Sequence, residues 1–186
     1  MKKPSKIKAV VFTRRTTPPT SIVQCLKAAS FIGPTFRDPQ ANVDSINELL
    51  SKEKPRLVLI DGEYSLDDKT KWQTLSKKNA VELRLYLLSQ SATPDNLPES
   101  LNVMRIVHAL KGGQVDIAIF IDAPSEALKM ELKALGADVV WPTLHTLSKL
   151  EESFYSILGG TKAVAVGLAG MVKAFHANLT SPTKRH

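Results

Sequence analysis

Two short segments hold the residues of this chain whose types and spacing suit chemistry. One is RLVLID, a run of apolar residues that ends in Asp61 and is followed by Gly62. The other is TRRTTPPTS, where Arg14, Arg15, Thr16 and Thr17 come directly after the β-branched run IKAVVFT. A carboxylate that closes a buried strand can hold a ligand or pair with a cation, here Arg14 or Arg15 at a neighbouring strand end. Two guanidinium groups and two hydroxyls ahead of a helix form a candidate anion pocket, because the free N–H groups and dipole of a helix N-terminus favour negative charge. The same four residues also make sense as an exposed turn that needs no ligand.

Several familiar kinds of machinery are missing. TRRTTPPTS contains no glycine, so neither a dinucleotide fingerprint nor a P-loop can form where such folds place them. There is no G-x-S-x-G elbow, and the single cysteine, Cys25, falls inside a helix-like stretch and reads as core. One cysteine allows no internal disulfide, and His108, His145 and His176 lack the spacings of a zinc site. No catalytic group, metal or cofactor is therefore assigned.

The elements that must position Asp61 and the arginines alternate along the chain. Apolar runs predict strands over 7–13, 34–37, 56–61, 83–88, 115–121 and 138–141. Periodic apolar positions predict a helix after Thr20, with Ile22, Leu26 and Ala29 on one face, and another over 42–52 with Val43, Ile46, Leu49 and Leu50 inward. Further helices are expected over 68–78, 99–110 (ended by Gly112 and Gly113), 125–135 (ended by Gly136), 146–158 and 162–179. Alternation of this kind calls for an α/β three-layer sandwich, a mostly parallel sheet of five or six strands covered on both faces. Ligands of such sheets sit outside the carboxyl ends of the strands, which makes Ser89, Asp122 and Trp141 candidate strand-end residues beside Asp61. Trp141 and Trp72 could each anchor a partner; core packing for Trp141 and partial surface burial for Trp72 are the equal alternatives.

Composition bounds the whole. The 186 residues carry 25 Lys plus Arg against 18 Asp plus Glu, and 43% are hydrophobic, the range of a globular chain. The positive charge lies at the ends: residues 1–15 and 159–186 contain bases and no acid, leaving the body between them net acidic. Basic ends of this kind support at most weak, sequence-indifferent contact with nucleic acid. The apolar stretch 163–179 carries Lys173 and His176 and is too short to span a bilayer, so a cytoplasmic protein with no membrane contact is expected. In 162–179, Val164, Leu168, Met171 and Phe175 repeat at four-three-four spacing, a stripe that suits packing on the body, on a second copy as a homodimer, or on another protein.

The stretch DIAIFIDAPSEALKMELKALGADVVWPTLHTLSKLEESFYSIL resembles the second half of a two-component response regulator receiver domain: strand, helix ending in Leu-Gly-Ala-Asp, short strand, proline and final helix. PRLVLIDGE resembles the third strand of that family, whose terminal aspartate accepts the phosphoryl group; that position is Asp61. The resemblance implies a flavodoxin-like, receiver-like domain over 1–158, followed by an extra C-terminal helix and basic tail over 159–186. It also implies defects. Phe12 and Thr13 stand where the family holds magnesium with an acidic pair, and Arg14 and Arg15 follow. Trp141 stands where the family has lysine, and Asp122 where it has threonine or serine. Phosphotransfer to Asp61 is then expected to be poor or absent, which makes the chain similar to a pseudo-receiver.

The register of the resemblance leaves two readings. Counting forward from Asp61 gives Ser89 the threonine or serine position, and counting back from Pro142 gives it to Asp122. Either 81–113 is an inserted strand–helix unit or the sheet has six strands, and six strands is the preferred reading. The function expected is that of a regulatory protein in signal transduction, a non-catalytic module acting through protein-protein interaction. An α/β enzyme or binding protein for an anionic nucleotide or phosphate at the strand ends is the alternative, and a nucleic-acid-associated protein using its basic ends is a third reading.

Overall fold

The computed structural model describes residues 7–14, 31–37, 41–62, 65–90 and 94–141. Among them are five strands, β1 (Ile7–Phe12), β2 (Phe31–Arg37), β3 (Leu57–Asp61), β4 (Asp116–Phe120) and β5 (Val139–Trp141). They pair in the order β2-β1-β3-β4-β5, and every pair is parallel. This is the strand order of flavodoxin-like sheets, in which the connections leave in opposite directions from β1 and β3.

The central strands follow from composition. In a parallel sheet covered on both sides every strand position is buried, so the strand reads as a continuous apolar run. Val10, Phe12, Val58, Ile60, Ile117 and Ile119 form one face and belong to the main core cluster, together with Ile46, Leu50, Leu101, Met104 and Leu128 of the helices. The alternate residues Ala9, Val11, Leu57, Leu59, Ala118 and Phe120 are buried as well, so both faces are withdrawn from solvent. Register locks the strands together: Phe12 lies opposite Ile60, and Asp61 lies opposite Phe120.

The described helices are α1 (Val43–Glu53), α2 (Leu66–Ser76), α3 (Ala80–Ser89), α4 (Glu99–Lys111) and α5 (Glu126–Ala134). α4 packs on β3 and β4 and against α1, while α2 and α3 pack against α5. The predicted helix ends hold where capping signals were present. Asn42 caps α1, Ser125 caps α5, and α4 stops at Gly112, whose φ of 51° is a left-handed conformation that glycine adopts at no steric cost. Val43 was expected inward, but it sits in the first turn of α1 and is half exposed, leaving Ile46 and Leu50 as the buried positions.

The largest correction concerns 83–88, which is not a strand but the body of α3. A capping box starts the helix: the Asn79 side chain accepts from the Glu82 N–H at 2.9 Å, and the Glu82 carboxylate accepts from the Asn79 N–H at 3.3 Å. Leu83 and Leu87 face the core, and Val81, Leu85 and Leu88 face solvent. A strand would have put Leu83, Leu85 and Leu87 on one face. With this strand gone, five of the six expected strands remain among the described residues. The connection between β3 and β4 is a run of helices, α2, α3 and α4. Residues 142–186, with the final helices and the stripe Val164, Leu168, Met171 and Phe175, lie outside the described residues, as does the helix expected after Thr20.

Candidate functional site at the strand ends

The carboxyl ends of β1, β3 and β4 hold three of the candidate residues, Arg14, Asp61 and Asp122. Asp61 closes β3 and is fully buried. Because Phe12 pairs with Ile60, the next residue, Thr13, falls beside Asp61 on the same side of the sheet. The Thr13 hydroxyl donates to Asp61 Oδ2 at 3.0 Å, and Thr13 is itself buried. The end of β1 therefore supplies a hydroxyl bonded to the carboxylate that closes β3.

Arg14 is one residue further along and leans to the other side of the sheet, toward the helices. It pairs with Glu99, the first residue of α4. Of the two cations expected near Asp61, Arg14 is thus directed to a carboxylate on the helical side. Arg15, Thr16 and Thr17 lie outside the described residues.

Gly62 makes the join between β3 and β4 possible. Its N–H donates to the Phe120 carbonyl at 2.8 Å, and a Cβ at this position would stand 2.5 Å from that oxygen and 3.0 Å from the indole nitrogen of Trp72. Trp72 was expected to be partly exposed, yet it is 2% exposed. α2 turns it inward over Gly62, where its indole N–H donates to the Ser100 hydroxyl at 3.2 Å.

Asp68, equally buried, completes this network. Ser65 caps α2 by accepting the Asp68 N–H, and that places the Asp68 carboxylate at the start of α4. α4 begins at Pro98, which offers no side-chain acceptor of its own. Asp68 Oδ1 accepts from the Glu99 N–H at 3.0 Å, and Oδ2 accepts from the Ser100 N–H at 3.3 Å and the Ser100 hydroxyl at 3.2 Å. A carboxylate borrowed from α2 thus satisfies donors that α4 leaves open, in the place where the dipole favours negative charge.

The other strand-end candidates separate. Ser89 is the last residue of α3, not a strand end, and its hydroxyl donates to the Tyr86 carbonyl at 2.7 Å. Asp122 does lie just past β4, exposed, in a turn where Ala123 takes φ 39°. It shares a small cleft with Lys69 and Gln73 of α2 and with Lys77 at its C-cap. The backbone of Trp141 closes β5 opposite Phe120. Sequence reasoning missed Asp68, Ser100 and Glu99, and it left Trp72 at the surface. The one signal for them was the bare start of α4, where a helix opening on Pro98 needs an acceptor from elsewhere.

A broader groove of about 810 Å³ opens on the helical side of β1 and β3. Arg14, the start of α2 and one face of α4, Asn102, Arg105, Ile106 and Ala109, form its walls. Among the described residues no group of three or more His, Cys, Asp and Glu is placed to hold a metal ion, and no helix is long and apolar enough to cross a membrane. No family model, curated protein or solved structure matches this chain.

Proposed function

We propose that this protein is a non-catalytic regulatory or assembly module that acts by binding other proteins, a pseudo-receiver whose phosphotransfer chemistry has lapsed. The observation that carries the reading is Asp61. It occupies the carboxyl end of β3 in a β2-β1-β3-β4-β5 parallel sheet, yet it is fully buried and holds the Thr13 hydroxyl. Phosphoryl transfer needs an accessible acceptor and positioned cations around the transferred group. Phe12 and Thr13 bring no carboxylate to the end of β1, and the nearby cation Arg14 is engaged by Glu99. A protein-binding role also fits α3, whose Val81, Leu85 and Leu88 are 70%, 62% and 64% exposed. Self-association through Val164, Leu168, Met171 and Phe175, in a cytoplasmic setting, completes the proposal.

Incubation with acetyl phosphate and Mg²⁺ tests it on the intact chain. The expected outcome is no gain of mass at Asp61, with light scattering giving a dimer that Leu168→Glu plus Phe175→Glu converts to a folded monomer. A stoichiometric phosphoryl adduct that disappears in Asp61→Asn would overturn the reading. A monomeric intact protein that the double change unfolds would remove its self-association arm.

A further inference from the structure

The groove on the helical side of β1 and β3 has a charge arrangement that the protein-binding reading does not use. It opens beside Arg14, just past β1, and runs along one face of α4. Most of its charged side chains are already engaged. Glu99 holds Arg14, Asp67 holds Lys71 at 2.8 Å, and Asp68 is consumed by the start of α4. Asp95 stands on the exposed rim, where its carbonyl accepts from Lys71. Among the described residues, Arg105 is the groove cation that lacks a carboxylate partner.

Arg105 is also half buried, so its guanidinium is partly desolvated and has donors to place. It projects from the face of α4 that carries Ile106 and Ala109, and Leu97 adds a further apolar wall. A guanidinium presents a planar fork that matches the two oxygens of a carboxylate or phosphate. A cationic fork beside apolar walls, in a groove of about 810 Å³, suits a ligand with the same division.

We propose that this groove binds a small organic anion, an oxyanion head on an apolar body, with Arg105 receiving the head and Leu97, Ile106 and Ala109 covering the body. The proposal stands apart from the receiver-like reading, since it uses none of Asp61, Thr13 or the C-terminal stripe.

Phenyl phosphate, benzoate and inorganic phosphate, titrated into the full chain and followed by backbone amide chemical shifts, provide the test. Saturable shifts centred on α4 are expected for phenyl phosphate, benzoate or both, and the difference between these two identifies the head group as phosphate or carboxylate. Inorganic phosphate, lacking the body, should bind more weakly. Arg105→Gln should lose about tenfold in affinity, the scale of a charge-assisted hydrogen bond. Arg105→Lys keeps a point charge without the fork and should fall between the two, which preserves the test if the Gln variant folds badly. Met130→Glu, on the exposed side of α5, should change nothing. Equal affinity in Arg105→Gln, equal binding of inorganic phosphate and phenyl phosphate, or no saturable shift at millimolar concentration would each overturn the proposal.

Discussion

β3 and α3 are built from similar material and adopt opposite structures. LVLID and LRLYLL are both short, rich in leucine and able to alternate. β3 enters after Pro55, leaves through Gly62 and has β4 and β1 on either side, so all five of its residues are buried. α3 enters through Asn79 and Glu82, whose reciprocal bonds close the first helical turn before any leucine is reached. Its arginine and its solvent-facing Leu85 alternate well enough for a strand, yet only Leu83 and Leu87, four residues apart, reach the core. Flanking residues decide what a short apolar run becomes, because the run itself satisfies either period.

The comparison breaks if α3 is a strand, and the largest expected effect tests that. Leu83→Ala removes a fully buried side chain and should destabilise the protein by about 3 kcal/mol, the usual range for leucine in a core. Leu85→Ala should cost less than about 0.5 kcal/mol, because the site is open to solvent. Chemical denaturation of the two variants measures both. A strand would give the two substitutions similar costs, since both side chains would then share one face.

Two buried aspartates sharpen the contrast between sheet and helices. Asp61 sits at a strand end, where a receiver-like reading of the sequence looks for it. Asp68 is invisible to such a reading, because SLDD in the sequence looks like an ordinary helix start. Its carboxylate serves a different helix, 31 residues on, by accepting three donors from Glu99 and Ser100. Asp68→Ala should therefore destabilise by about 2 kcal/mol, combining a lost cap with a buried Ser100 hydroxyl deprived of its acceptor. Asp68→Asn keeps one oxygen and should recover part of this. Amide exchange should show the loss concentrated at the start of α4. A uniform change across β1, β3 and β4 would mean that Asp68 stabilises the sheet directly.

The sheet was legible because its central strands are buried on both faces and so are apolar at almost every position, with Asp61 marking an end. Helix boundaries were legible where a local group announces them, as at Asn42, Ser125 and Gly112. Three things were not. The face of α3 depended on which period the leucines follow. The burial of Trp72 depended on the close approach at Gly62, where β3 meets β4. The direction of Arg14 depended on pleat alternation past the last ladder pair, which sends Thr13 toward Asp61 and Arg14 toward α4. The burial of Trp72 and the pairing of Arg14 with Glu99 are set by neighbours distant in sequence, whereas for α3 the capping box at Asn79 and Glu82 is a local signal.

The smallest effect expected lies at the exposed start of α5, far in character from either buried aspartate. Lys129 bonds Glu126 at 2.7 Å, and this hydrogen bond together with the lysine charge holds the Glu126 carboxyl below its ordinary range. A folded-state value below the unfolded one means that the contribution to stability is complete above the unfolded value and fades as pH falls through the folded one. Glu126 is open to solvent, so water and salt screen the pair. Lys129→Met should therefore raise the Glu126 titration midpoint, read from its side-chain carbon shift, while leaving the denaturation midpoint at neutral pH nearly unchanged. Added salt should move the wild-type midpoint in the same upward direction. If the midpoint in Lys129→Met stayed low, the positive end of α5 and Lys133 would be holding the charge in place of Lys129.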